Sequence, residues 1–183
     1  MSFVLDDSIE IKRTVYDSNT LQEKAHELGQ QITGDYKGKE LVIVGVIKGA
    51  LYFFSDLTRA VDLPIMIDMI GFGNIPDTTK KTGAVKITKD INIDISGKHV
   101  IIAEDVIRTG LTTAYLTSYL ESKGPADIAI CTMFFNPDRL LIPIPVKYYG
   151  FEIDDSWLLG YGMDRNEIGR NLPYVAELPK KEQ

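Results

Sequence analysis

Two long apolar runs, Leu41–Ile47 and Ile128–Phe135, and a shorter one, Val100–Ala103, lie far apart in the chain and carry almost no polar residue. Strands buried on both faces read this way, whereas strands with one wet face alternate. Patterns of helical period sit around them. Leu21, Ala25, Leu28 and Ile32 recur at helical spacing in a polar surround. Ala50–Ala60 offers Leu51, Phe54 and Leu57 as one face, and Thr112–Glu121 follows the Val100 run until Lys123-Gly124-Pro125 stops it. Strands alternating with helices predict an α/β fold, an open and mainly parallel sheet flanked by helices through right-handed crossovers. Ligands of such sheets gather outside the carboxyl ends of the strands.

The punctuation is consistent with this frame. Gly34, Asp35 and Gly38 break the first helix, and Pro143 and Pro145 constrain the approach to a strand at Val146–Phe151. Ile65–Ile70 reads as a strand whose pairing Pro64 limits. Residues 71–99 look different. Gly71, Gly73, Pro76 and Gly83 mark a loop-rich excursion, and alternation in Ala84–Thr88 predicts an edge strand after it. The excursion reads either as a flexible cover over an active site or as a solvent-facing insertion. No repeat or linker divides the 183 residues, which suit one domain with a small appended lobe.

Charge and composition exclude several roles. A net charge of −6 argues against general affinity for nucleic acid or anionic membrane. No segment reaches the roughly 18 apolar residues of a membrane span. The start, Met1-Ser2-Phe3-Val4-Leu5-Asp6-Asp7, lacks the basic-then-apolar pattern of a signal peptide, so a cytoplasmic chain is expected. A single cysteine, Cys131, forms no internal disulfide and reads as a packed core thiol.

Chemistry concentrates in Val100–Thr113. The apolar run delivers Glu104 and Asp105, and then Thr109-Gly110 and Thr112-Thr113. The order suggests a buried strand, an acidic strand end, a polar turn and a helix start. Such a turn presents hydroxyls and backbone N–H groups to an anion. The carboxylate pair suits a polyhydroxylated ligand bearing Mg²⁺ and phosphate. A capped helix beside exposed acids is the plainer alternative. Lys48-Gly49 follows another strand and places a cation at the same end of the sheet. Near the C-terminus, Asp164 and Arg170 form either a phosphate-handling pair or a surface salt bridge. Trp157 suits stacking in a pocket mouth, or partly buried packing.

The 100–113 stretch resembles the ribose-phosphate motif of the type I phosphoribosyltransferases. Val44–Ala50, Tyr149–Ile153, Gly160–Asp164 and Arg170–Tyr174 narrow the likeness to the hypoxanthine-guanine phosphoribosyltransferases, in one order over nearly the whole chain. The resemblance implies that Glu104 and Asp105 hold the ribose and that Thr109, Gly110, Thr112 and Thr113 cradle the 5′-phosphate. Lys48, Gly49 and Arg170 would contact pyrophosphate, Asp164 would join Glu104 and Asp105 around Mg²⁺, and Asn136, Trp157 and Leu158 would face the base. It also implies a small hood built from the two chain ends, a mobile loop over 71–83, and a homodimer or homotetramer.

Three positions depart from the family pattern. Arg108 stands where the family has an Asp that assists proton removal from the purine. Asn136 stands where it has a Lys that donates to the 6-oxygen, and Phe72, in Gly71-Phe72-Gly73, where it has a Tyr. An arginine accepts no proton, and an asparagine supplies no cation. The expected activity is Mg²⁺-dependent transfer of phosphoribose from phosphoribosyl pyrophosphate to a 6-oxopurine. Transfer to a different acceptor, and a non-catalytic nucleotide-binding or phosphoribosyl-pyrophosphate-binding paralogue, stay open at this point.

Overall fold

A computed structural model describes residues 10–74 and 85–179. The chain enters through strand β1 (Arg13–Tyr16) and helix α1 (Ser18–Asp35), followed by strand β2 (Leu41–Ile47) and helix α2 (Leu51–Ala60). Strands β3 (Ile65–Asn74), β4 (Val85–Lys89) and β5 (His99–Ile107) precede helix α3 (Leu111–Glu121). Strand β6 (Asp127–Phe135), a 3-10 turn at Pro137–Arg139, and strands β7 (Val146–Glu152), β8 (Trp157–Leu159) and β9 (Val175–Leu178) complete the order. Six strands make the main sheet, β4-β3-β2-β5-β6-β7. Every neighbouring pair in it is parallel except β3 with β4. The expected α/β class and mainly parallel open sheet are the ones adopted.

Side-chain alternation on the central strands feeds two cores. Leu41, Ile43, Ile101 and Ala103 pack with Leu21, Leu28, Phe53 and Leu57 of α1 and α2. Val42, Val44, Val100 and Ile102 pack with Leu116 and Leu120 of α3. Both faces of β2 are thus covered, which is why its sequence runs apolar without a break. Cys131 is buried in the first core, as expected. Helices α1 and α2 cross closely at Gly29, where an added Cβ would fall 2.5 Å from the Cβ of Ala60. Because α2 leaves β2 toward one face and α3 leaves β5 toward the other, a crevice opens where the carboxyl ends of β2 and β5 lie side by side.

Four local expectations need correction. Helix α2 buries Phe53, Phe54 and Leu57, while Leu51 is exposed, because the helix turns Phe53 into the core shared with α1. Pro64 does not limit β3, which pairs with β2 from Ile65 opposite Leu41 to Gly71 opposite Ile47. The proline sits one residue outside that ladder, so its missing N–H removes no bond. Gly71, Phe72 and Gly73 are strand residues, not loop, because β4 supplies antiparallel partners at Lys89, Ile87 and Lys86. The remainder of the 71–83 loop, from residue 75, lies outside the described residues. Finally, β5 runs past Glu104 and Asp105 to Ile107, so the acids sit within the strand and not at its end.

A second, antiparallel sheet of three strands, β1-β9-β8, joins the two ends of the chain. The Glu177 carboxylate in β9 ties it to the entering segment, accepting from Lys12 Nζ at 2.7 Å and Arg13 Nε at 2.8 Å. Among the described residues no helix is long and apolar enough to cross a membrane.

Candidate active site

A cleft of about 700 Å³ opens between the carboxyl ends of the central strands and the segment around β8. Asp105 and Val106 of β5, Arg108 and Thr109 of the following turn, Ser156 and Trp157, and Met163 and Asp164 form much of its wall. Of the residues singled out in the sequence, Asp105, Arg108, Thr109, Trp157, Leu158 and Asp164 line it.

Glu104 and Asp105 part company. Neighbours on a strand face opposite sides. Glu104 turns toward α3, is 6% exposed, and accepts a hydrogen bond from the Thr113 hydroxyl at 3.1 Å. Burial, reinforced by the adjacent Asp105 charge, pushes its carboxyl up to about 8, against the pull of the Thr113 bond. Asp105 faces the cleft. Burial is also the main cause that raises its carboxyl to about 6, with Asp164 adding to the rise and Arg170 opposing it. Thr113 is therefore committed to Glu104 and does not offer its hydroxyl to a phosphate. Glu104, Asp105 and Asp164 do not converge, and no group of three potential metal ligands forms among the described residues.

The anion cradle is built from backbone. Gly110 enters α3 at φ 77, a left-handed conformation that suits glycine, and the Leu111 N–H behind it donates to Thr109 Oγ1 at 3.5 Å. The next amides of that turn, those of Thr112 and Thr113, are left for another acceptor. Thr109 lines the cleft beside them, and Thr112 is exposed on the first turn.

On the other side of Asp105 the turn after β2 packs tightly. The Ile47–Lys48 peptide is cis. A Cβ on Gly49 would lie 2.3 Å from Asp105 Oδ2, and one on Gly162 would lie 1.8 Å from the Gly49 carbonyl oxygen. Three segments meet there with no room for a side chain. A charged chain spans the rim. Lys48 Nζ donates to Glu167 Oε2 at 2.8 Å, and Arg170 Nη2 reaches Glu167 at 3.4 Å and Asp164 Oδ1 at 2.7 Å. Arg170 Nη1 donates to the Gly162 carbonyl at 2.8 Å, while its buried Nε has no hydrogen-bond partner among the described residues. Lys48, Gly49, Asp164 and Arg170 are thus brought together as expected. Glu167, which links the two cations, was missed. Its position three residues after Asp164 and three before Arg170 was the available signal.

The opposite wall carries Trp157, 67% exposed, and Leu158, 8% exposed, on β8. Arg108 donates from Nη1 to the Asp154 carbonyl at 3.0 Å and from Nη2 to the Ser156 carbonyl at 2.7 Å. Burial lowers its pKa from the usual guanidinium value, and the Asp155 and Asp154 charges oppose that. Asn136 is 1% exposed and lies behind the cleft wall, not in it. Its Nδ2 donates to Asp155 Oδ1 at 3.3 Å, and its Oδ1 has no hydrogen-bond partner among the described residues. Arg139 and Asp155, paired at 3.1 Å, line the wall instead. Neither was singled out in the sequence, although Asp154-Asp155-Ser156 is a conspicuous polar step between two apolar strands. Phe72 packs edge-on against Tyr115, with ring centroids 6.3 Å apart.

The chain is similar to known proteins in sequence and fold. The phosphoribosyl transferase domain model matches residues 13–166. The hypoxanthine-guanine phosphoribosyltransferase of Staphylococcus aureus is 38% identical over 169 residues, covering 92% of this chain and 94% of that protein. The crystal structure of a Bacillus anthracis hypoxanthine-guanine phosphoribosyltransferase, with HEPES in its active site, superposes with a TM-score of 0.87 at 39% identity, over 93% of this chain and all of the other. The Trypanosoma cruzi hypoxanthine phosphoribosyltransferase in complex with its product IMP gives a TM-score of 0.86 at 25% identity, covering 92% and 95% of the two chains.

Proposed function

The chain belongs to the phosphoribosyltransferase family, in its hypoxanthine-guanine branch, and we propose that it transfers the 5-phosphoribosyl group from phosphoribosyl pyrophosphate to a 6-oxopurine, releasing pyrophosphate. One observation carries the reading. A single cleft is lined by Asp105, by Thr109 just before α3 and by Asp164, which pairs with Arg170, together with Trp157 and Leu158. In this reading the turn at Thr109-Gly110 and the first amides of α3 hold the 5′-phosphate, and Thr112 adds a hydroxyl. Asp105 takes the ribose hydroxyls, with Glu104 steadying the strand beneath it. Lys48, Gly49 and Arg170 hold the pyrophosphate, and Trp157 stacks on the base. The β1-β9-β8 sheet then serves as the hood that carries Trp157 and Leu158. Catalysis comes from positioning and from charge placed where the leaving group develops it.

The donor set suits Mg²⁺. That ion keeps much of its water and binds through one or two carboxylates and substrate phosphates, not through a closed protein cage. Asp105 and Asp164 both face the cleft, and among the described residues no third carboxylate joins them in a metal-binding group. Bound there, Mg²⁺ would offset the charge of the departing pyrophosphate. Glu104, turned away toward Thr113, is left out of this set.

The test is nucleotide formation from phosphoribosyl pyrophosphate with hypoxanthine or guanine, with and without Mg²⁺. Turnover that needs the ion is expected. Binding of phosphoribosyl pyrophosphate without turnover on either base would overturn the catalytic reading. Light scattering tests the homodimer or homotetramer of the same reading, and a persistent monomer would remove it.

A further inference from the structure

A 6-oxopurine attacks through a ring nitrogen that must lose its proton. The residue at position 108, an arginine, cannot take it. Arg108 is moreover occupied, since its guanidinium straps the Asp154 and Ser156 carbonyls to the end of β5. That strap holds the 154–156 segment against the base side of the cleft. Three carboxylates line the cleft among the described residues, Asp105, Asp155 and Asp164. Asp105 and Asp164 lie on the phosphoribosyl side with Arg170. Asp155 stands on the other wall, beside Arg108, Ser156 and Trp157. Its Oδ1 accepts from Asn136 Nδ2 at 3.3 Å and is ion-paired with Arg139 Nε at 3.1 Å, so the carboxylate is oriented while Oδ2 takes neither contact.

We infer that Asp155 is the catalytic base of this enzyme, a duty moved from position 108 to the loop that Arg108 straps in place. The inference rests on the 6-oxopurine transferase reading above. In the step, the imidazole N–H bond of the purine breaks and its proton passes to Asp155 Oδ2. The freed nitrogen pair forms the bond to the anomeric carbon, and the carbon–oxygen bond to pyrophosphate breaks with its electron pair. Arg139 from the 3-10 turn, Arg108 from the turn after β5, Asp154 beside it in the loop and Asn136 just after β6 are the polar and charged groups around the acceptor. Asn136 and Arg139 are positioning residues.

The experiment compares native protein with Asp155→Asn and Asp155→Glu in kcat against pH. Two acceptors are used, hypoxanthine and an 8-aza-6-oxopurine whose ring N–H is more acidic. General-base loss typically costs about 100-fold or more in rate. Asp155→Asn should lose about that factor on hypoxanthine near neutral pH, with the KM for phosphoribosyl pyrophosphate unchanged. The deficit should shrink as pH rises and should be smaller with the 8-aza base. Asp155→Glu, which keeps a carboxylate, should retain the acidic limb of the profile that the Asn variant lacks. It also serves as the reporter if the Asn variant does not fold. An equal loss on both bases at every pH would reduce Asp155 to a structural role, and no loss would remove it from the reaction. Native protein that turns over neither base would overturn the parent reading and this one together. Native turnover with a uniform loss overturns this one alone.

Discussion

Glu104 and Asp105 bind more protons in the folded chain than in the unfolded one, because burial raises both carboxyls, to about 8 and about 6. The unfolded chain sheds these protons near the ordinary carboxylate values of about 4. Stability therefore falls with rising pH over the interval between those values. The contribution is fully present below about pH 4, and it is lost as pH climbs through about 6 and then about 8. Melting temperatures taken without divalent cation should decline over that window, and Glu104→Gln should flatten the upper part of the decline. A flat native profile would show that the pair is not held protonated. At Arg108, replacement by Ala removes two charge-assisted bonds to carbonyls. Discounted for solvent, the cost should be about 1–2 kcal/mol in urea unfolding. An unchanged midpoint would mean that the strap adds nothing to the fold. Arg108 was legible as a departure, but its partners were not, since Asp154 and Ser156 lie almost fifty residues away in the chain.

The helices show where periodicity suffices and where it fails. Leu21, Ala25, Leu28 and Ile32 all face the core as their spacing requires, because α1 lies along the sheet with one stripe inward. In α2 the same reasoning chose Leu51 over Phe53. A short helix that packs against both a sheet and another helix buries a wider arc than one stripe. The α1–α2 crossing supplies a sharp test. Gly29→Ala would set a methyl 2.5 Å from the Ala60 Cβ and 2.8 Å from its carbonyl carbon, so the helices must separate. Overpacking of this kind typically costs about 1–3 kcal/mol. A lowered unfolding midpoint with an unchanged m-value is expected, and neutrality would mean that the crossing yields without strain.

Across the whole molecule, the cleft is assembled from the ends of β2 and β5, the start of α3, and the segments on either side of β8. A ligand that touches all of these binds only the folded chain. Phosphoribosyl pyrophosphate with Mg²⁺ at about 100 times its Kd should add about 2.7 kcal/mol. For a domain of this size that corresponds to a rise in Tm of about 5–10 °C. Leaving out Mg²⁺ should shrink the rise, and no shift with both present would sink the binding reading.

The order of buried strands and helices was legible in the sequence because a strand covered on both faces must be apolar throughout, and that demand is local. The cluster of Glu104, Asp105, Thr109 and Gly110 was legible for a similar reason, since one strand, one turn and one helix start carry it within a few residues. Tertiary structure alone decided which of these groups work together. Strand alternation sent Glu104 away from the cleft, burial took Asn136 behind its wall, and long-range packing set Asp155 and Arg139 in its place. Side-chain direction depends on what packs against each face, and contacts made across so much intervening chain leave no mark in local spacing.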